Sequence, residues 1–157
     1  MKQKKKLLMI SSVGGHLTQL LSLEELFKEY DYHLVTEKTD VTLKLKDKYP
    51  VSFLVYGARN YLFRYLFKFS YNIIKSLMIF LREKPDIIIT TGAHTAVPMC
   101  YIAKLFRKKV IFIESFAKSK SPTLSGRMIY PIADLFIIQW ESMKEFYPKA
   151  VYGGTIY

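Results

Sequence analysis

Apolar residues fall along this chain in short dense blocks separated by longer stretches of helical spacing. Residues 6–12 are an apolar run halted by Gly14-Gly15, the form of a buried strand entering a tight turn. Leu17, Leu20, Leu21, Leu23, Leu26 and Phe27 then recur at helical spacing and predict one amphipathic helix over 16–29. Residues 32–36 and 51–56 read as the second and third strands, with a polar, lysine-bearing stretch over 37–50 between them. The longest helical candidate spans 60–82 and is stopped by Pro85. Residues 86–90 form a continuous apolar run before Thr91-Gly92, as expected of a strand covered on both faces. A helix over 95–106 carries Pro98 in its first turn, where the missing N–H costs nothing. A strand over 109–114 ends in a carboxylate, and a Ser/Lys-rich loop covers 115–125. A short helix over 124–132, a strand over 134–139, a short helix over 141–147 and a last strand over 149–152 complete the chain before Gly153-Gly154.

Strands separated by helical patterns imply βαβ units, because parallel strands need long crossovers. The expected fold is therefore α/β and Rossmann-like: a parallel sheet with helices on both faces. The length of 157 residues suits a single domain, and no repeat, linker or low-complexity block interrupts it.

Composition narrows the partners. Half the residues are apolar, so the chain can bury a core, and 24 Lys and Arg against 13 Asp and Glu give a net charge of +11. That balance points to phosphate, diphosphate, acidic lipid or nucleic acid. The basic residues are spread over several elements with no nucleic-acid motif, which sets nucleic acid aside. One cysteine, Cys100, excludes an internal disulfide framework and reads as a small core residue. Three scattered histidines, His16, His33 and His94, do not make a zinc pattern. The lysine-rich start is followed by only four apolar residues, too few for a signal peptide, and no apolar stretch reaches spanning length.

In sheets of this kind ligands bind beyond the carboxyl ends of the strands. Three loops lie there: Ser11-Ser12-Val13-Gly14-Gly15-His16, Thr90-Thr91-Gly92-Ala93-His94 and Glu114-Ser115-Phe116. The first is either a tight βα connection or a cradle in which backbone amides approach an anion such as diphosphate. It is neither Gly-x-Gly-x-x-Gly nor a Walker A sequence, so NAD enzymes and P-loop NTPases are not supported. His16 suits a general base or a phosphate contact, or else is a solvated helix-start residue. Glu114 ends an apolar strand, where a carboxylate is expensive unless it has a partner or faces a cleft.

The 60–82 segment carries Arg64, Lys68, Lys75 and Arg82 within a sector about 40° wide, and apolar side chains cover most of the rest. A crossover helix needs an apolar face of little more than about 100°. The excess calls for a second cover, a bilayer, a partner protein or both, and basic residues among aromatics suit an anionic membrane surface.

Together, Ser-Ser-Val-Gly-Gly-His-Leu at 11–17, Pro-Asp-Ile-Ile-Ile-Thr-Thr-Gly-Ala-His at 85–94 and Val-Ile-Phe-Ile-Glu-Ser-Phe-Ala at 110–117 resemble a known family. It comprises the accessory subunits of bacterial capsule and exopolysaccharide glycosyltransferases. These are similar to the membrane-anchoring subunit of the two-part N-acetylglucosaminyltransferase of N-glycan synthesis. A more distant resemblance is to the amino-terminal half of the peptidoglycan enzyme that glycosylates its lipid-linked precursor.

The resemblance implies the acceptor half of a GT-B glycosyltransferase over 1–157, on the cytoplasmic face of the membrane as a peripheral protein. It implies presentation of a polyprenyl-diphosphate-linked sugar to a separate subunit that binds the nucleotide sugar, with little activity alone. His16 and Glu114 would be catalytic; Ser12, Gly14, Gly15, Thr91, Gly92 and His94 would hold the acceptor diphosphate. Arg64, Lys68, Lys75 and Arg82 would meet the membrane, and the tail 148–157, with Tyr152, Gly153 and Gly154, would meet the partner. No cofactor is implied. No Asp-x-Asp is present to hold a metal on the donor. The alternative expectation is a stand-alone Rossmann-like module that binds a nucleotide or another anion without catalysis.

Overall fold

The computed structural model describes residues 4–57 and 62–156, side chains of 62–65 excepted. Seven parallel strands form one sheet in the order β3-β2-β1-β4-β5-β6-β7. They are β1 (Lys6–Ser11), β2 (Asp31–Glu37), β3 (Val51–Leu54), β4 (Ile87–Gly92), β5 (Lys109–Ile113), β6 (Leu135–Ile138) and β7 (Val151–Tyr152). The helices are α1 (Gly15–Leu21), α2 (Glu25–Glu29), α3 (Asp40–Leu43), α4 (Leu62–Glu83), α5 (Val97–Leu105) and α6 (Leu124–Ile129).

The strand order turns at β1 and β4, so the loops after these two neighbours face a crevice at the carboxyl edge. Two apolar cores follow from the alternation of side chains across the sheet. Leu7, Met9, Leu34 and Ile89 pack beneath α1 and α2, with Leu20, Leu26 and Phe27 supplied by the helices. On the other face Leu8, Ile10, Ile88, Val110 and Phe112 pack against Ile79 and Phe80 of α4, Met99 and Cys100 of α5, and Ile129 of α6. Cys100 is fully buried there, as a small core residue.

Three local expectations are corrected. The helix predicted over 16–29 is two: past Ser22, whose hydroxyl bonds back to the Thr18 carbonyl at 3.0 Å, the ladder shortens, with Leu23 N donating to Leu20 O and Leu26 N to Leu23 O. The polar stretch over 37–50 contains α3, which opens with a reciprocal cap: the Thr42 amide donates to the Thr39 hydroxyl and the Thr39 amide to Thr42 Oγ1. The third strand stops at Leu54 instead of residue 56, because Asn72 of α4 takes over both backbone groups of Val55. Its Oδ1 accepts from Val55 N and its Nδ2 donates to Val55 O, each at 2.8 Å. That pair, with Asn72 only 6% exposed, pins α4 to the sheet edge.

The rest of α4 is apolar on its outward side as well. Leu66, Phe67, Tyr71, Ile74, Met78 and Leu81 are exposed, Phe67 to 79%. The predicted basic stripe runs along its flank, where Lys68 Nζ donates to Tyr56 O at 3.1 Å and Lys75 lies over the Tyr71 ring. Arg82 is tied at the other end of the helix to Glu83 and Ser52, at 2.7 and 2.6 Å. The Arg64 side chain lies outside the described residues. No helix among the described residues is long and apolar enough to cross a membrane.

Candidate functional site

The loop between β1 and α1 opens outward at its tip and is braced from behind. Gly14 has φ +87°, a conformation that side-chain-bearing residues rarely adopt, and a Cβ on Gly14 or Gly15 would meet nothing within 4 Å. Both glycines are exposed, so their backbone can be approached from solvent. The next residue, His16, is half-buried. Its Nδ1 lies 2.6 Å from the Thr91 carbonyl, while the Thr91 hydroxyl donates to the His16 carbonyl at 2.7 Å. A carbonyl only accepts, so Nδ1 carries the proton and a neutral ring presents Nε2 as its acceptor. Gly92, at φ +96°, lies close to this ring: a Cβ there would come within 3.4 Å of it and 3.2 Å of Ser125 Oγ.

Ser12, Thr91 and Gly92 were expected against a ligand, and the structure places them one layer behind. Ser12 N donates to Gly92 O, Ser12 Oγ to Thr95 Oγ1, and Gly92 N to Thr90 Oγ1, so these groups are already paired inside the frame. Gly14, Gly15 and His16 stand in front of them. His94 is partly exposed beside the same loop, with Nε2 4.0 Å from Glu37 Oε1.

Glu37 is a member of the site that the sequence reading did not single out. It ends β2 with only 2% of its surface exposed. Oε1 accepts from Thr95 Oγ1 at 2.9 Å and Oε2 from Val13 N at 3.3 Å. One carboxylate therefore ties the β1 loop to the turn after β4. The only sequence signal was its position at the end of an apolar strand.

Glu114 does not face a cleft. It is 1% exposed, and its oxygens accept from Ser115 N at 2.8 Å, Thr123 N at 3.2 Å, Thr123 Oγ1 at 2.9 and 3.1 Å, and Tyr147 Oη at 2.9 Å. Burial, and then this carboxylate, pushes the Tyr147 phenol far above its ordinary range. Gly126 leaves room for the cluster, since a Cβ there would overlap Glu114 and Tyr147. Glu114 is thus committed to fixing the loop 115–123 and the start of α6, whose Ser125 touches the His16–Gly92 contact. Direct deprotonation of an acceptor by Glu114 is not what this geometry provides; positioning is.

His33 sits at the opposite end of the sheet, 2.8 Å from Ser52 Oγ and 3.6 Å from Glu83, and burial pushes its ring below the usual histidine value. It belongs to no site at the carboxyl edge. Among the described residues no group of three or more His, Cys, Asp or Glu is placed to hold a metal ion. Tyr152 is half exposed on the short edge strand β7, followed by Gly153 and Gly154.

The seven-stranded Rossmann-like sheet, with its switch point between β1 and β4, is a fold whose structural neighbours include GT-B enzymes. The solved structures share it. MurG of Acinetobacter baumannii superposes with a TM-score of 0.72 at 17% identity, over 88% of this chain and 42% of that one. A UDP-N-acetylglucosamine 2-epimerase of Rickettsia bellii gives 0.72 at 18%, over 93% and 42%. This chain thus spans less than half of either.

The particular family is given by sequence. A family model described as "Oligosaccharide biosynthesis protein Alg14 like" matches residues 7–156, and the chain belongs to that family. The UDP-N-acetylglucosamine transferase subunit ALG14 of Mus musculus is 31% identical over 96% of this chain and 82% of its own length. The subunit of the same name from Candida albicans is 36% identical over 55% of this chain and 42% of its own.

Proposed function

We propose that this chain is the acceptor-side accessory subunit of a two-part glycosyltransferase that builds a lipid-linked oligosaccharide. The observation that carries this reading is the match across nearly the whole chain to a protein named as a transferase subunit. The site supports it: an exposed glycine turn suits a diphosphate, and the adjoining imidazole, held by the Thr91 carbonyl, suits a base for an acceptor hydroxyl. In this reading residues 1–157 form one acceptor domain. The donor-binding subunit docks at the tail 148–157, around Tyr152, Gly153 and Gly154, and binds the nucleotide sugar. The finer setting, capsular or exopolysaccharide repeat-unit synthesis in a bacterium, rests on the motif resemblance; the curated relatives named above are eukaryotic. Purified alone, the chain is expected to transfer little sugar to a polyprenyl-diphosphate-linked acceptor. Adding the donor-binding partner raises the rate by orders of magnitude. Full activity of the chain alone would refute the division of labour.

The same reading places the protein at the cytoplasmic face of the membrane, resting on α4. Its outward apolar face and flanking lysines suit an anionic surface. Each lysine near such a surface contributes about 1 kcal/mol, so Lys68→Gln with Lys75→Gln should weaken partition onto anionic vesicles by about 30-fold. Sedimentation with phosphatidylglycerol vesicles measures this. Equal partition of variant and parent would remove α4 as the contact.

A further inference from the structure

A cavity of about 410 Å³ opens directly beside the glycine turn. Val13, Gly14 and Leu17 form one wall, Thr39 and Val41 at the start of α3 another, and Tyr56 beyond β3 the third. Among the described residues, none that lines it is charged. The hydroxyls of Thr39 and Thr42 are spent on the cap of α3 and on the Glu37 carbonyl, so they ask nothing of a guest. With Val13, Leu17, Val41 and the Tyr56 ring in its lining, a recess of this size favours an apolar occupant. Its two ends differ. One wall is the backbone of Gly14, and the other, Tyr56, takes Lys68 of α4 on its carbonyl at 3.1 Å. The recess therefore runs from the glycine turn to the flank of the helix with the exposed apolar face.

We propose that this recess holds the first isoprene units of an isoprenoid diphosphate whose charged head lies at Gly14-Gly15. The inference rests on the acceptor reading above and adds to it where the hydrocarbon goes. Val41, 79% exposed, and Tyr56, 46% exposed, form the rim, so both tolerate substitution without disturbing the core.

Calorimetric titration of the full chain with inorganic diphosphate and with farnesyl diphosphate tests it. Farnesyl diphosphate is expected to bind at least tenfold more tightly. In the Val41→Asp, Tyr56→Asp variant, checked for an unchanged circular dichroism spectrum, the gap is expected to fall below threefold. Methyl resonances of Leu17 and Val41 in the parent should also move with farnesyl diphosphate and not with inorganic diphosphate. If the two probes bind the parent equally, the recess is not a tail site, while the acceptor turn stands. If the gap survives in the variant, or the methyls do not move, the tail lies elsewhere, for example along α4. If neither probe binds, the turn and the recess both fail, and the acceptor reading with them.

Discussion

Replacing Glu114 by alanine is expected to lower the melting temperature by roughly 10 °C, the largest stability loss of any single substitution at the site. Four donors converge on this carboxylate from Ser115, Thr123 and Tyr147, in surroundings closed to solvent. Hydrogen bonds to a charged group contribute about 1.5–3 kcal/mol each, and an orphaned buried hydroxyl such as that of Tyr147 costs about 1–3 kcal/mol. Partial relaxation of the loop leaves a net loss of about 3 kcal/mol, which for a chain of this size is several degrees per kcal/mol unfolded. Thermal denaturation followed by circular dichroism reads it directly. A carboxylate that served only as a base facing a cleft would give the opposite result: an unchanged melting point with lost transfer. Glu114→Gln preserves shape while turning one acceptor into a donor, and it should fall between parent and alanine variant.

His16→Ala is expected to reduce sugar transfer by the assembled pair by about 10²–10⁴-fold, the usual range for removing a positioned acid or base. The expectation comes from the geometry: Nδ1 is held by the Thr91 carbonyl at 2.6 Å, which leaves Nε2 as the ring's acceptor. The imidazole is half-buried in the first turn of α1 and takes no part in either apolar core, so the melting point should move little. Single-turnover assays with the partner present isolate the chemical step. A variant within threefold of the parent would remove His16 from the chemistry and leave the turn as a binding element only.

Much of this fold is written in local patterns. The run Ile87-Ile88-Ile89 announces a central strand because both of its faces are covered, and Gly14-Gly15 announces the turn after β1 because the chain there needs a positive φ. The break between α1 and α2 was hidden, since Leu23, Leu26 and Phe27 keep the helical period across it and still pack on the same core. The cap of α3 was hidden because Thr39 and Thr42 read equally well as turn residues. In the candidate site, the placement of the loops and of His16 beyond the strand ends was legible from the chain order. The role of Glu114 was not, since it is decided by Thr123, nine residues on, and Tyr147, thirty-three residues on. Glu37 was the least visible. It stands at the head of a charged stretch, Glu37-Lys38-Thr39-Asp40, and only its partner Thr95, fifty-eight residues away, reveals that it is enclosed.

The two hydrogen bonds between Asn72 and Val55 carry a consequence for how α4 would meet any surface. An isolated amphipathic peptide folds as it lands, and the entropy of ordering subtracts from the gain of each buried side chain. Here the rotation of the helix about its own axis is locked from the inside before contact. Docking would resemble the seating of a finished part, with Phe67, Ile74 and Met78 already facing outward. Loosening that lock should blur the angle of approach long before it unfolds the domain.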